Sequence, residues 1–230
     1  MIIDEKTIAY FDRLQNLFSG MDRKYAAAAQ FYGFECRGCA DNCCRTRFYH
    51  HTYLEFLFIR RGFDELDAPH QRALRARAAE VCRQTEQADK QGRAVRLMCP
   101  LNHDGMCILY RCRPMICRMH GIPHELQKPG QPLMHGPGCG AFDQRCSAKP
   151  YFKFDRTQFY FEMAGLENEF KQAAGLTGKI KLTIAEMILL NSEVGMRPST
   201  SSGGTKSEYK CRSQRTDDRS QGTNNGTWRA

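Results

Sequence analysis

Cys99 to Cys117 reads C-P-L-N-H-D-G-M-C-I-L-Y-R-C-R-P-M-I-C, and it answers an earlier stretch, Cys36 to Cys44, that reads C-R-G-C-A-D-N-C-C. Together the two stretches hold eight cysteines in 28 residues, separated by a long helical-looking insert. The rest of the chain reads as scaffold that brings two thiol clusters face to face. The fold class expected is therefore mainly α with small irregular β hairpins, the helices supporting a cysteine-rich metal-binding core.

The chain has 230 residues, twelve of them cysteine. Met1 to Asp12 lacks a basic segment followed by an apolar one, so no secretory signal is expected. No apolar run reaches the length of about 18 residues that a membrane helix needs. Many cysteines without an export signal point to reduced thiols in a cytoplasm, and clustered reduced thiols point to metal. A disulfide framework is the competing reading, but C-x2-C pairs and the adjacent Cys43-Cys44 make poor staples. The formal charge of +9 counts no thiolates. Two zinc ions, each held by four thiolates, would add −2 apiece and leave about +5. Part of that remainder lies in the tail, where residues 196–230 carry seven Lys/Arg against three Asp/Glu. No concentrated basic run remains in the body, so nucleic-acid binding is not argued for.

Outward from the clusters, periodicity sets the helices. Asp4 to Tyr32 carries Ile8, Phe11, Leu14, Leu17/Phe18 and Met21 at spacings of three and four, one buried stripe ending at Gly33. Thr52 with Glu55 three residues on has capping-box spacing and opens a helix from Tyr53 to about Arg61, with Leu54, Leu57 and Phe58 inward and Gly62 as its stop. Pro69 begins a third helix that runs to about Gln91, with Leu74, Ala78, Val81 and Cys82 as its stripe; Cys82 reads as core. Val95 and Leu97 alternate with charges as a short strand would. Asp104-Gly105 is a hairpin turn, and Ile122–Leu126 with Pro132–His135 suggests a second hairpin across Pro129-Gly130. Asp155 begins a helix stopped at Gly175, and Thr183-x-x-Glu186 caps a last apolar one to about Leu190. Residues 1–195 are expected to form one domain with its cluster core at about 34–146. Residues 196–230, poor in groups to bury, are expected to be a disordered basic tail.

A C-x2-C turn lets two sulfurs meet one ion about 2.3 Å from each, its amides facing the thiolates. Cys36 and Cys39 have that spacing. Cys43 and Cys44, as neighbours, point apart and do not easily share an ion. Ten clustered cysteines (36, 39, 43, 44, 99, 107, 112, 117, 139 and 146) make two four-coordinate sites the preferred count, with a single site among spare thiols as the alternative. Ligand type does not choose between zinc and an iron–sulfur cluster. Among the histidines near thiols, His120, three residues after Cys117, is the best ligand candidate. Six arginines (37, 45, 47, 111, 113 and 118) flank the cysteines, as solvated surface groups or as a counter to thiolate charge.

The vicinal-cysteine cluster, the later C-P-L, and the run C-x-L-Y-x-x-R-P-x-x-C-R from Cys107 to Arg118 resemble the bacterial CxxCxxCC cysteine-cluster proteins of the YkgJ type, described as zinc- or iron-chelating. The resemblance covers about residues 34–146. It implies Cys36, Cys39, Cys43, Cys44, Cys99, Cys107 and Cys117 as metal ligands. Two departures stand out. Three residues rather than two separate Cys39 from Cys43, and Met119-His120-Gly121 stand where a further cysteine is expected. The eighth ligand is then open among Cys139, Cys112, Cys146 and His120, with Cys139 preferred. A metal-binding protein is the first functional expectation, its partners metal ions and no membrane. An iron–sulfur-dependent enzyme similar to flagellin lysine N-methylases is the second, without a recognisable catalytic group; a zinc-dependent nucleic-acid module is the third.

Overall fold

The computed structural model describes residues 5–35 and 43–190. The chain is mainly helical with two small antiparallel hairpins, as the periodicity predicts. Its helices among the described residues are α1 (Glu5–Tyr32), α2 (Tyr53–Asp64), α3 (Ala68–Lys90), α4 (Met115–Met119), α5 (Gly140–Cys146), α6 (Thr157–Ala173) and α7 (Ile184–Leu189). The strands are β1 (Asn102–His103) with β2 (Met106–Cys107), and β3 (His124–Leu126) with β4 (Met134–Gly136). The expected disordered tail lies outside the described residues, as do Cys36, Cys39 and Cys211.

Helix α2 is the hub. Its sequence Y-L-E-F-L-F-I-R-R-G-F-D is apolar on nearly every side, and residues 53–60, 62 and 63 are buried. A helix apolar all round belongs inside its neighbours. One apolar core runs from Phe11 to Ile188, gathering the α1 stripe, α2, the inner face of α3, α6 and α7. Rings mark the seams, with Phe58 edge-on to Phe11 at 5.4 Å and to Phe18 at 5.9 Å.

Polar caps lock the helices to one another. Glu167 of α6 accepts from the Tyr53 and Leu54 amides at 2.8 and 3.1 Å, so one helix supplies the N-terminal cap of another. Thr183 and Glu186 form the capping box the spacing predicts. Thr52 caps α2 but only half the expected box forms. Its hydroxyl accepts from the Glu55 amide, while the Glu55 carboxylate, instead of taking the Thr52 amide, accepts from the Thr52 hydroxyl and from the Met115 amide of another helix.

Four local expectations are corrected. Ile8 is 44% exposed rather than part of the buried stripe, because the inward face of α1 runs through Thr7, Phe11, Leu14, Phe18 and Met21 and Ile8 lies one residue round the helix from it. Gly62 does not stop α2 but lies inside it, and the reason is close approach: a Cβ there would come within 2.6 Å of the Cys112 sulfur. Val95 and Leu97 form no strand, since that segment lacks a partner strand among the described residues; the Cys99 amide beyond it donates to the Cys44 carbonyl at 2.7 Å. The short helices α4 and α5 fall in stretches that carry no helical period. No helix among the described residues is long and apolar enough to cross a membrane.

Candidate metal centre

Cys99-Pro-Leu101 and Cys107-Ile-Leu109 make two matching turns at the ends of the β1–β2 hairpin. Asp104 and Gly105, with φ of 50° and 83°, form its tip, and β2 returns so that Cys107 faces Asn102. The ladder continues one step further, with the Ile108 amide on the Leu101 carbonyl at 2.9 Å. In each turn the amide two residues on, of Leu101 and of Leu109, donates to the cysteine sulfur. Both leucines are buried and pin the turns to the core. An amide aimed at sulfur stabilises a thiolate, which is why such turns carry metal ligands.

Cys117 arrives on α4, five residues long and far too short to hold itself. It is held at both ends by buried charges from distant elements. Glu55 of α2 accepts from the Met115 amide at 2.7 Å at its N-terminus. Arg156 donates to the Met119 and Ile122 carbonyls at its C-terminus. The signs match the helix dipole, anion at the start and cation at the end. Burial raises the Glu55 pKa, opposed by the bonds from Thr52 and Met115, and burial lowers that of Arg156 to about 10.

The two arginines of the R-P-x-x-C-R run are structural. Arg113 and Arg118 both pair with Asp22 of α1, at 3.0 and 2.6 Å. Arg118 also donates to the Arg113 and Arg111 carbonyls, and its guanidinium lies 4.1 Å from the Phe18 ring centre. Arg47 instead forks onto Asp89 of α3. These three, read from sequence as solvated groups or thiolate counter-charges, spend their charge on carboxylates.

The geometry brings Cys44, Cys99, Cys107 and Cys117 into one neighbourhood. Burial pushes the Cys99 thiol up to about 12 and Cys107 to about 11, with Cys44 adding to both. Cys117 rises well above the ordinary range, first through burial and then through Cys99, Cys107 and Cys44. None of the four is joined in a disulfide. Sulfurs from clusters more than fifty residues apart therefore meet. They are not grouped as a finished shell: among the described residues, no three His, Cys, Asp or Glu side chains stand as a group able to hold a metal ion. Of the remaining expected ligands, Cys36 and Cys39 lie outside the described residues, and so does the Cys43 side chain.

Cys139 is the residue that opens α5, the helix after β4, and it packs where a Gly121 Cβ would lie 3.7 Å from its sulfur, beside Tyr25 and Phe34. Cys112 packs on Gly62, Cys82 belongs to the core, and the buried Cys146 donates to the Tyr32 carbonyl at 3.6 Å. His120 stands edge-on to Phe48 at 5.2 Å.

The four thiols share the wall of a cavity of about 860 Å3. The face of α3 from Val81 to Lys90, the 45–48 and 95–101 segments and the start of α7 are among its other walls. His50 lines it too, 3% exposed, with no hydrogen-bond partner for Nε2. Burial, with a smaller push from His51, lowers the His50 pKa to about 4. The native ring therefore stays neutral where the unfolded chain takes up a proton. Stability attached to His50 is present above about pH 6.5 and is lost as pH falls toward 4, about 3 kcal/mol in all. Denaturant titrations in chelator at pH 7 and pH 4 are expected to show that loss in the native chain and to show it diminished in His50→Phe. Equal slopes for the two proteins would contradict it.

Sequence reasoning missed Asp22, Arg156 and Glu167, which no local pattern flags, and gave Glu55 only its capping role. No protein-family model matches the chain, and no curated protein or solved structure matches it either.

Proposed function

We propose that the protein binds zinc or iron, the latter as an ion or an iron–sulfur cluster, through clustered cysteine thiolates. The observation that supports it is the gathering of Cys44, Cys99, Cys107 and Cys117, thiols from two distant stretches with no disulfide among them, two of the sulfurs already receiving amide bonds. Each thiol gives up its proton to the metal, so uptake releases protons. Cys36, Cys39, Cys43 and Cys139 are the expected further ligands. The C-x-L-Y-x-x-R-P-x-x-C-R run supports membership of the CxxCxxCC type, and reduced thiols support a cytoplasmic setting.

Metal analysis of anaerobically purified full-length protein tests this. Colourless protein with stoichiometric zinc, or brown protein with iron and broad visible absorption, is the expected result. Cys44→Ser is expected to lose metal and Cys82→Ser to keep it. Metal-free protein, or equal metal in both variants, would overturn the assignment. An iron–sulfur-dependent enzyme is the second reading, favoured by one observation: the thiols line a cavity large enough for a small substrate.

A further inference from the structure

Asn102, in the C-P-L-N stretch that opens the second cluster, stands between the two thiol turns. In the β1–β2 ladder it lies opposite Cys107. The Ile108 amide bonds the Leu101 carbonyl one step along, so Asn102 and Cys107 form a non-hydrogen-bonded pair. Side chains of such a pair share one face and approach each other more closely than those of a hydrogen-bonded pair. The main-chain groups of Asn102 point away from β2, and both are used. Its amide donates to the Cys99 carbonyl at 2.9 Å, and its carbonyl accepts from Arg77 of α3 at 3.1 Å. Asn102 is thereby fixed against one thiol turn while its side chain stands beside the other.

Half of that side chain is used as well. Oδ1 accepts from the Gly105 amide at 3.2 Å, across the hairpin tip. That donor settles which end of the side-chain amide is oxygen and which is nitrogen. Nδ2 is buried, yet it has no hydrogen-bond partner among the described residues. A buried N–H group left unpaired costs stability until an acceptor meets it. The neighbour on the same face, the Cys107 sulfur, changes as an acceptor with its chemical state. A neutral thiol accepts weakly, and a thiolate accepts strongly.

We propose that Asn102 is a positioning residue of the thiol centre, its Nδ2 donating to the Cys107 sulfur once that sulfur is a metal-bound thiolate. The inference rests on the metal-binding reading above. The bond adds a second N–H donor to the one from the Leu109 amide. The thiol proton leaves to solvent as the sulfur–metal bond forms, and Asn102 keeps both of its own. A second donor draws charge off the sulfur and ties the hairpin tip to the ligand, so it favours the loaded state.

Cobalt(II), added anaerobically to metal-stripped full-length protein, is the probe. Its sulfur-to-metal charge-transfer band reports the electron density on the thiolates, and a hydrogen bond to sulfur moves the band to higher energy. Asn102→Asp keeps an oxygen for the Gly105 amide and removes the donor, whereas Asn102→Ala removes both, so either one decides if the other does not fold. In each, the band should lie at lower energy than in the native protein. Cobalt affinity, measured by competition with a chelating dye, should fall about tenfold or more, the scale of one bond to a charged acceptor. Gly105→Ala strains the same tip, where φ is 83°, without removing the donor, and it should leave the band in place. A band unmoved in the Asn102 variants, or moved as far by Gly105→Ala, would overturn the inference and leave the metal reading standing. Native protein that takes up neither cobalt, zinc nor iron would overturn both.

Discussion

Stripping metal from the full-length protein is expected to raise amide hydrogen exchange first, and most, across residues 93–146. The reason is the poverty of local structure there. Its strands are two or three residues long, α4 has five and α5 seven. Helices shorter than about 12 residues and lone two-stranded hairpins are marginal in water. Against them stand α1 with 28 residues, α3 with 23 and α6 with 17, packed around Phe11, Leu14, Phe56 and Phe63. A structural thiolate site contributes folding free energy directly, on the order of 10 kcal/mol for zinc peptides near neutral pH. Chelation removes that contribution from the segment with the least to replace it, while α1, α2 and α6 keep their apolar faces covered. Exchange mapped by mass spectrometry before and after complete metal removal, confirmed by elemental analysis, is the measurement. Unchanged protection in 93–146 would mean that the hairpin and α4 stand without a metal.

The helical scaffold was legible because its signals are local. Phe11, Leu14, Leu17, Phe18 and Met21 fall at helical spacing and are all buried. Thr183-x-x-Glu186 names a cap that forms, and Asp104-Gly105 names a turn that forms. Of the candidate site, the approach of the earlier thiol cluster to the later one was readable from residue type and spacing, while the choice of Cys44, Cys99, Cys107 and Cys117 among the ten thiols came from the family resemblance. What holds it was not. Helix α4 owes its existence to Glu55, 60 residues earlier, and to Arg156, 37 residues beyond Met119. A five-residue helix has no periodicity to read, and its caps arrive through tertiary contact. The Val95–Leu97 alternation misled for the converse reason: a strand needs a neighbour, and alternation alone does not supply one. Gly62 reads as a stop in one dimension, yet in space it is the gap into which Cys112 packs.

Asp22→Ala is expected to destabilise the fold by about 4 kcal/mol, more than removal of a surface carboxylate would, because the groups it abandons are buried. The Asp22 side chain itself is 41% exposed, but those of Arg113 and Arg118 are 14% and 5% exposed. Without the carboxylate, two guanidiniums 3.0 and 2.6 Å from its former oxygens face each other with no anion between them. Burial already lowers the Arg118 pKa, with Asp22 the leading influence restoring it, and the nearby Arg113 lowers it further. The Arg111 and Arg113 carbonyls still accept from Arg118, which limits the loss without neutralising the charge. If uncompensated charge is the cause, removing one cation should relieve it. Asp22→Ala combined with Arg118→Met should then cost less than the sum of the two single changes, the methionine keeping the contact with Phe18. Arg118→Lys should not substitute for arginine, since a single ammonium cannot reach Asp22 and two carbonyls in one plane. Chemical denaturation of the single and double variants gives the coupling directly. Additive costs would show instead that Asp22 acts only through packing at the α1–α4 seam, and that the paired arginines of the R-P-x-x-C-R run position Cys117 by shape rather than by charge.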